Sequence, residues 1–144
     1  MIYPDNFENK IQFNEIRSLL KGYCLSQLGK DKVDDMAFTS DAERINTALS
    51  QTREFRRMQE EADDFPLQFF FDMRASIKRI RIEGTHLEEN EIFDLRRSLE
   101  TISGIVKFLN RSDDDGNYDY PTLHALTEDV MTFPDLIRRI DQIL

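Results

Sequence analysis

Gly29-Lys30 is the first pair whose residue types suggest a chemistry. In a phosphate-binding loop, G-x-x-x-x-G-K-S/T, backbone amides cradle the phosphates, the lysine reaches the terminal ones and the hydroxyl holds magnesium. Here the first glycine's place is taken by Cys24 and the hydroxyl's place by Asp31. The backbone then cannot turn tightly enough to aim its amides, and a carboxylate beside a triphosphate repels it, so the pair reads as ordinary helical sequence. Asp113-Asp114-Asp115-Gly116-Asn117 has the look of a calcium loop's middle. Placing Gly116 at the sixth loop position puts Arg111 first and Thr122 twelfth, where an Asp and a bidentate Glu are required, and the stretch reads as a solvated Asp-Gly turn. Glu60-Glu61 and Glu88-Glu89 fall at helix ends, where acids suit an N-terminus or face water. His124, beside Leu123, reads as a half-buried structural histidine. Cys24, His86 and His124 do not make a zinc site, and no nucleophile stands with a base. No catalytic, cofactor-binding or metal-ligating residue is assigned.

Two further groupings bear on binding rather than catalysis. Arg74, Lys78, Arg79 and Arg81 lie in a stretch with no acid from position 73 through 82, and Arg53, Arg56 and Arg57 form a second cluster. Such cations either pin a phosphate backbone or pair with acids on neighbouring helices. The four in the first run are the candidate nucleic-acid contacts. Phe65, Phe69, Phe70 and Phe71 crowd into seven residues. They are hard to hide beneath one loop, and are the candidate surface for a partner or another domain.

The elements that position these residues read as helices. Pro4, Asp5 and Asn6 mark an entrance, after which Phe7, Ile11, Phe13, Ile16, Leu19, Leu20 and Tyr23 recur at helical steps. Ser26 is the expected N-cap of a short helix carrying Leu28, Val33 and Met36. Ser40-Asp41-Ala42-Glu43 reads as a capping box with Ser40 as the cap, opening a helix from Asp41 to about Glu61. Its expected buried stripe is Ile45, Ala48, Leu49, Thr52, Phe55 or Arg56, and Met58. Ala62 to Pro66 breaks that helix, and Leu67 to Phe71 continues as an irregular apolar connector. Asp72 is expected to cap a short helix with Met73, Ile77 and Ile80 on one face. Gly84 and Thr85 turn the chain. From Glu89 to about Leu109 runs the clearest pattern, with Ile92, Leu95, Leu99, Ile102, Val106 and Leu109 as its stripe. The segment 110–120 is expected on the surface. A short helix follows Pro121 with Leu123, Leu126 and Val130, and a last one follows Pro134 with Leu136, Ile137, Ile140, Ile143 and Leu144.

The chain has 144 residues, 19 basic against 28 acidic, for a net charge of −9, with 40% apolar residues and 11 Phe. The apolar share supports a real core and excludes an acidic disordered tail. Five Gly and four Pro are too few for an all-β sandwich with frequent turns. The surplus of acid argues against a domain built only to hold phosphate backbones. A lone cysteine allows no internal disulfide and suits a reducing, cytoplasmic setting. Residues 1–6 carry neither a basic nor an apolar leader region, and no apolar run is long enough for a membrane span, so neither a signal peptide nor a membrane is expected. The expected architecture is one all-α, bundle-like domain over 1–144. Its end at Ile143-Leu144, on an apolar face without a capping glycine or basic last turn, reads as a cut through something longer.

The order of the segments carries a resemblance. Phe13-Asn14-Glu15-Ile16, Leu19-Leu20, Tyr23, Ser26-x-x-Gly29-Lys30, Asp41-x-Glu43-x-Ile45 and Thr52-x-Glu54-Phe55 resemble the N-terminus of MutS-like DNA-repair ATPases, in particular their second bacterial branch. Asp72-Met73-Arg74, Ile82-x-Gly84-x-x-Leu87 and Leu136-x-x-x-Ile140-Asp141 continue the likeness over nearly the whole chain. Glu88-Glu89 stands where that branch often has Ser/Thr-Pro, and the loop from Ser112 to Tyr120 is longer and more acidic than typical. The resemblance implies the N-terminal part of a helical core and lever region. Its full-length proteins are homodimeric ATPases that bind ATP and magnesium, carry a nuclease-like tail, act on branched or mismatched DNA and restrain recombination. None of their ATP-binding or nuclease motifs falls on this chain, so the partners implied for it are the remaining domains of its own longer chain. The alternative is a free-standing acidic helical module that binds a protein through the Phe65–Phe71 surface.

Overall fold

Eight helices make up the computed structural model, which describes residues 5–144, so Pro4 of the expected helix entrance lies outside the described residues. The sequence leads to one helical domain, whereas the contacts divide into two compact units, 1–38 and 39–144.

In that unit α1 (Phe7–Lys10), α2 (Phe13–Tyr23) and α3 (Gln27–Asp34) follow one another. The periodicity from Phe7 to Tyr23 predicts one continuous segment, but Gln12 adopts a left-handed backbone, φ 59°, and splits it. Ser26 caps α3 as expected, accepting from the Gly29 amide at 3.1 Å. No described residue of these three helices is fully buried. Arg17 instead gathers the unit. Its guanidinium donates to Glu8 at 3.0 Å and to the carbonyls of Val33 at 2.7 Å and Met36 at 2.5 Å, and lies over the Phe13 ring at 4.9 Å. Phe7 and Phe38 meet edge to face at 6.0 Å.

The second unit is built on α4 (Ala42–Glu61) and α6 (Glu89–Leu109), with the short α5 (Arg74–Arg79), α7 (Pro121–Ala125) and α8 (Pro134–Asp141) around them. The N-cap of α4 is Asp41, one residue later than expected, because its carboxylate reaches the amides of Glu43 and Arg44 at 3.0 and 3.1 Å. The core holds Met58, Phe108, Leu109, Tyr120 and Leu123, with Phe55, Ala62, Phe65 and Ile105 packed on it. Four rings join it in a chain: Phe55 to Phe65 at 5.8 Å, Phe65 to Phe108 at 5.2 Å, and Phe108 to Tyr120 at 5.9 Å. Edge-to-face and offset contacts of this kind add to what burial alone contributes.

Four of the six positions of the expected α4 stripe do not reach this core. Ile45, Ala48, Leu49 and Thr52 are exposed, Ile45 to 38% and Leu49 to 54%, and only Met58 is buried. The core of the unit lies beneath the last two turns of α4, where α7 and the connector pack, and the first half of the helix contributes no buried residue. The loop 110–119 is exposed as expected, but Tyr120 at its end is buried. Ser112 and Tyr118 form an isolated antiparallel bridge across the Gly116 turn, φ 82°. In α8, Ile140 is the buried residue, and the helix is tied to α6 through Arg96 and Asp141 at 2.6 Å.

Candidate functional site

The basic run falls on α5 and the turn after it, and two of its four cations are committed. Asp72, expected as the helix cap, accepts the Arg74 amide at 3.2 Å and the Arg74 guanidinium at 2.6 and 2.8 Å, while Met73 takes the cap position. The Arg74 guanidinium, then its amide, hold the Asp72 carboxyl down at about 2. Glu91, in the first turn of α6, receives the Glu88 amide at 2.9 Å, the Ser76 hydroxyl at 2.7 Å and the Arg79 guanidinium. Those donors, the Glu88 amide foremost, hold its carboxyl at about 2. Glu91 thus caps its own helix and clips α5 to it. Lys78 and Arg81 are exposed, three residues apart, and their side chains pair with no acid among the described residues. In the second cluster Arg56 pairs with Glu60 and Arg57 with Glu61, both at 3.5 Å, and Arg57 covers the Tyr120 ring at 4.9 Å.

The Phe-rich connector is sorted by depth. Phe65 belongs to the core, wedged between Phe55 and Phe108. Phe70 and Phe71 are half-buried, and Phe69 is 46% exposed. Phe69 has φ 63°, a left-handed backbone that a bulky side chain rarely adopts, so its outward ring is held at a conformational cost. Phe71 stacks on it at 6.2 Å and the Arg97 guanidinium lies over it at 5.3 Å. The connector is pinned to α6 at two points. The Thr101 hydroxyl donates to the Gln68 carbonyl at 2.9 Å. Gly104 lets Pro66 lie directly on the helix, since a Cβ there would come within 3.0 Å of the proline ring.

The remaining candidates are absorbed by structure. Gly29 and Lys30 lie inside α3, not in a loop. The Asp113 carboxylate is taken up by the amides of Asp115 and Asn117 at 3.0 and 2.8 Å. His124 contacts Asn110 at 3.0 Å and stacks on Tyr118 at 3.5 Å. Among the described residues no group of His, Cys, Asp and Glu is placed to hold a metal, and no helix is long and apolar enough to cross a membrane.

Sequence reasoning passes over one residue with a clear positional role. Glu54 of α4 accepts the amides of Thr122 at 3.0 Å and Leu123 at 2.8 Å, capping α7 from another element. The signal is indirect. A helix that opens Tyr120-Pro121 brings no capping side chain of its own, so its free amides need an acceptor from elsewhere.

Curated relatives resemble this arrangement by sequence. The Endonuclease MutS2 of Levilactobacillus brevis and that of Bacillus cereus strain ATCC 10987 are each 26% identical to this chain over 130 residues. That of Bacillus thuringiensis strain Al Hakam is 25% identical over 130 residues. Each alignment covers 90% of this chain and 16% of the relative, so the chain spans a small part of the length of the relatives it matches. The chain resembles a segment of Endonuclease MutS2, as its ordered motifs imply. No family model matches it, and no solved structure does.

Proposed function

We propose that the chain is a helical scaffold and lever segment of a longer MutS2-like DNA-repair protein, coupling a DNA clamp to an ATPase and catalysing nothing itself. The observation that carries this reading is the match to Endonuclease MutS2 along 90% of the chain but only 16% of the relative. In support, the 20 residues of α4 make a rod of about 30 Å. Its first half is free of the core, and its last turns are tied into it. On this reading ATP and magnesium, the nuclease-like part, the homodimer contact and the main grip on branched or mismatched DNA belong to the rest of the longer chain, in the cytoplasm. Lys78 and Arg81 add a subsidiary contact to DNA phosphates.

The test is twofold. The reading frame past Leu144 is expected to continue to a distant G-x-x-x-x-G-K-S/T, and a calorimetric titration of the 144-residue chain with ATP is expected to be flat. Micromolar affinity of this chain for ATP overturns the proposal. A second reading, a free-standing acidic module that binds a protein partner, is favoured by the outward, backbone-strained Phe69 beside Phe71. A stop codon after Leu144 selects it.

A further inference from the structure

A groove of about 410 Å³ lies between α4, α6 and the turn that follows α7, lined by Phe55, Ile102, Val106, Leu109, Leu126 and Val130 among others. Thr127 is the one polar residue in its lining among the described residues. Its floor is the core itself, through buried Leu109 and Leu123, while its walls stand in water: Ile102 is 38%, Val130 41% and Leu126 59% exposed. Ile102, Val106 and Leu109 follow at steps of four and three along α6, the ridge that a packed helix meets. Glu128 and Asp129 sit between the lining residues Thr127 and Val130, exposed, their carboxylates paired with no cation among the described residues. Lys107, next to Val106 on α6, is likewise exposed and unpaired.

We propose that this groove seats one amphipathic helix, aliphatic along the ridge that enters it and carrying Lys or Arg on the flank that faces Glu128 and Asp129, supplied by the part of the longer chain outside these 144 residues. The inference rests on the proposed function, because it needs such a chain, and the relatives' 16% coverage leaves ample length to supply the helix. Apolar walls beside unpaired acids fit a helix-in-groove contact, with burial supplying affinity and the acids setting orientation.

Thiol labelling tests it. With Cys24→Ser as background, Leu126→Cys is introduced both in the 144-residue chain and in the product of the uninterrupted reading frame, and the labelling rate at position 126 is compared. The expected result is labelling at least tenfold slower in the longer protein, with Val130→Cys giving the same answer and Asp114→Cys, on the exposed loop, labelling alike in both. Adding Glu128→Lys and Asp129→Lys to the longer protein is expected to raise labelling at position 126 several-fold. Equal rates in a folded longer protein overturn the inference and leave the proposed function standing, whereas a reading frame that ends at Leu144 removes both. Protection that grows with protein concentration assigns the groove to a second copy and overturns the intrachain helix. Rates unmoved by the two lysines overturn the basic flank.

Discussion

Glu54 and Leu123 are joined by a 2.8 Å hydrogen bond across 69 residues of sequence, the carboxylate of one long helix capping the first turn of a short one. Because Thr122 donates to the other carboxylate oxygen, one side chain satisfies two of the free amides of α7. Glu54→Ala is expected to lower stability by about 1 to 2 kcal/mol, the range for loss of a helix cap. Glu54→Gln keeps one acceptor and is expected to cost less. Urea midpoints of the two variants against the parent measure the difference; equal midpoints for Glu54→Ala and the parent contradict the cap.

Glu91 gives the chain a defined sensitivity to acid. Its carboxyl is held at about 2 in the fold against an ordinary 4.5. A group depressed in this way stabilises the fold at pH values above about 4.5, and that contribution drains away as pH falls from there toward 2. Glu91→Gln removes it. The gap between parent and variant in urea midpoint is therefore expected to be full at pH 6 and to narrow steadily toward pH 2.5. A gap that stays constant over that range rules out the linkage.

The two halves of α4 are expected to respond unequally to mutation. Ile45→Ser and Leu49→Ser touch exposed positions and are expected to change stability by no more than about 0.5 kcal/mol. Met58→Ala empties the most deeply buried site and is expected to cost about 2 to 5 kcal/mol. Thermal denaturation of the three variants separates the cases. A large loss from Leu49→Ser in the 144-residue chain contradicts the exposed face.

The basic run divides into cations that are free and cations that are spoken for. If DNA phosphates are held here, weak salt-sensitive binding to a branched duplex is expected to fall on Lys78→Glu and on Arg81→Glu, each lowering the slope of log affinity against log salt by about 1. Arg74→Gln, already paired with Asp72, is expected to change it less. Fluorescence anisotropy over a salt series reads the slopes, and binding unaffected by the double reversal removes these residues from any DNA contact.

What was legible in the sequence follows the range of the interaction responsible. The bounds Glu89–Leu109 of α6 stand as the stripe predicts, since an apolar face over so many turns leaves no other element type. The Ser26 cap is a contact three residues long and equally legible. Between Ser40 and Asp41 both side chains can cap, and only the backbone decides. Gln12 gives no hint of a left-handed turn. The outward half of α4 has a buried helix's periodicity, because periodicity marks a face that wants a neighbour without saying which chain segment provides it. Among the site residues, the split of Arg74 and Arg79 from Lys78 and Arg81 rests on where Asp72 and Glu91 fall in space, and only Asp72 is near enough in sequence to be foreseen.

Arg17 joins the two ends of the first unit through polar contacts where a core would ordinarily do so. Its fork serves Glu8 near the beginning of that unit and the carbonyls of Val33 and Met36 near its end, with no fully buried side chain in the helices between. Its planar fork, which a lysine cannot copy, acts beside the Phe7–Phe38 ring contact and the Lys21–Asp34 ion pair at 2.7 Å, so losing it loosens α1 from the end of α3 without emptying any core.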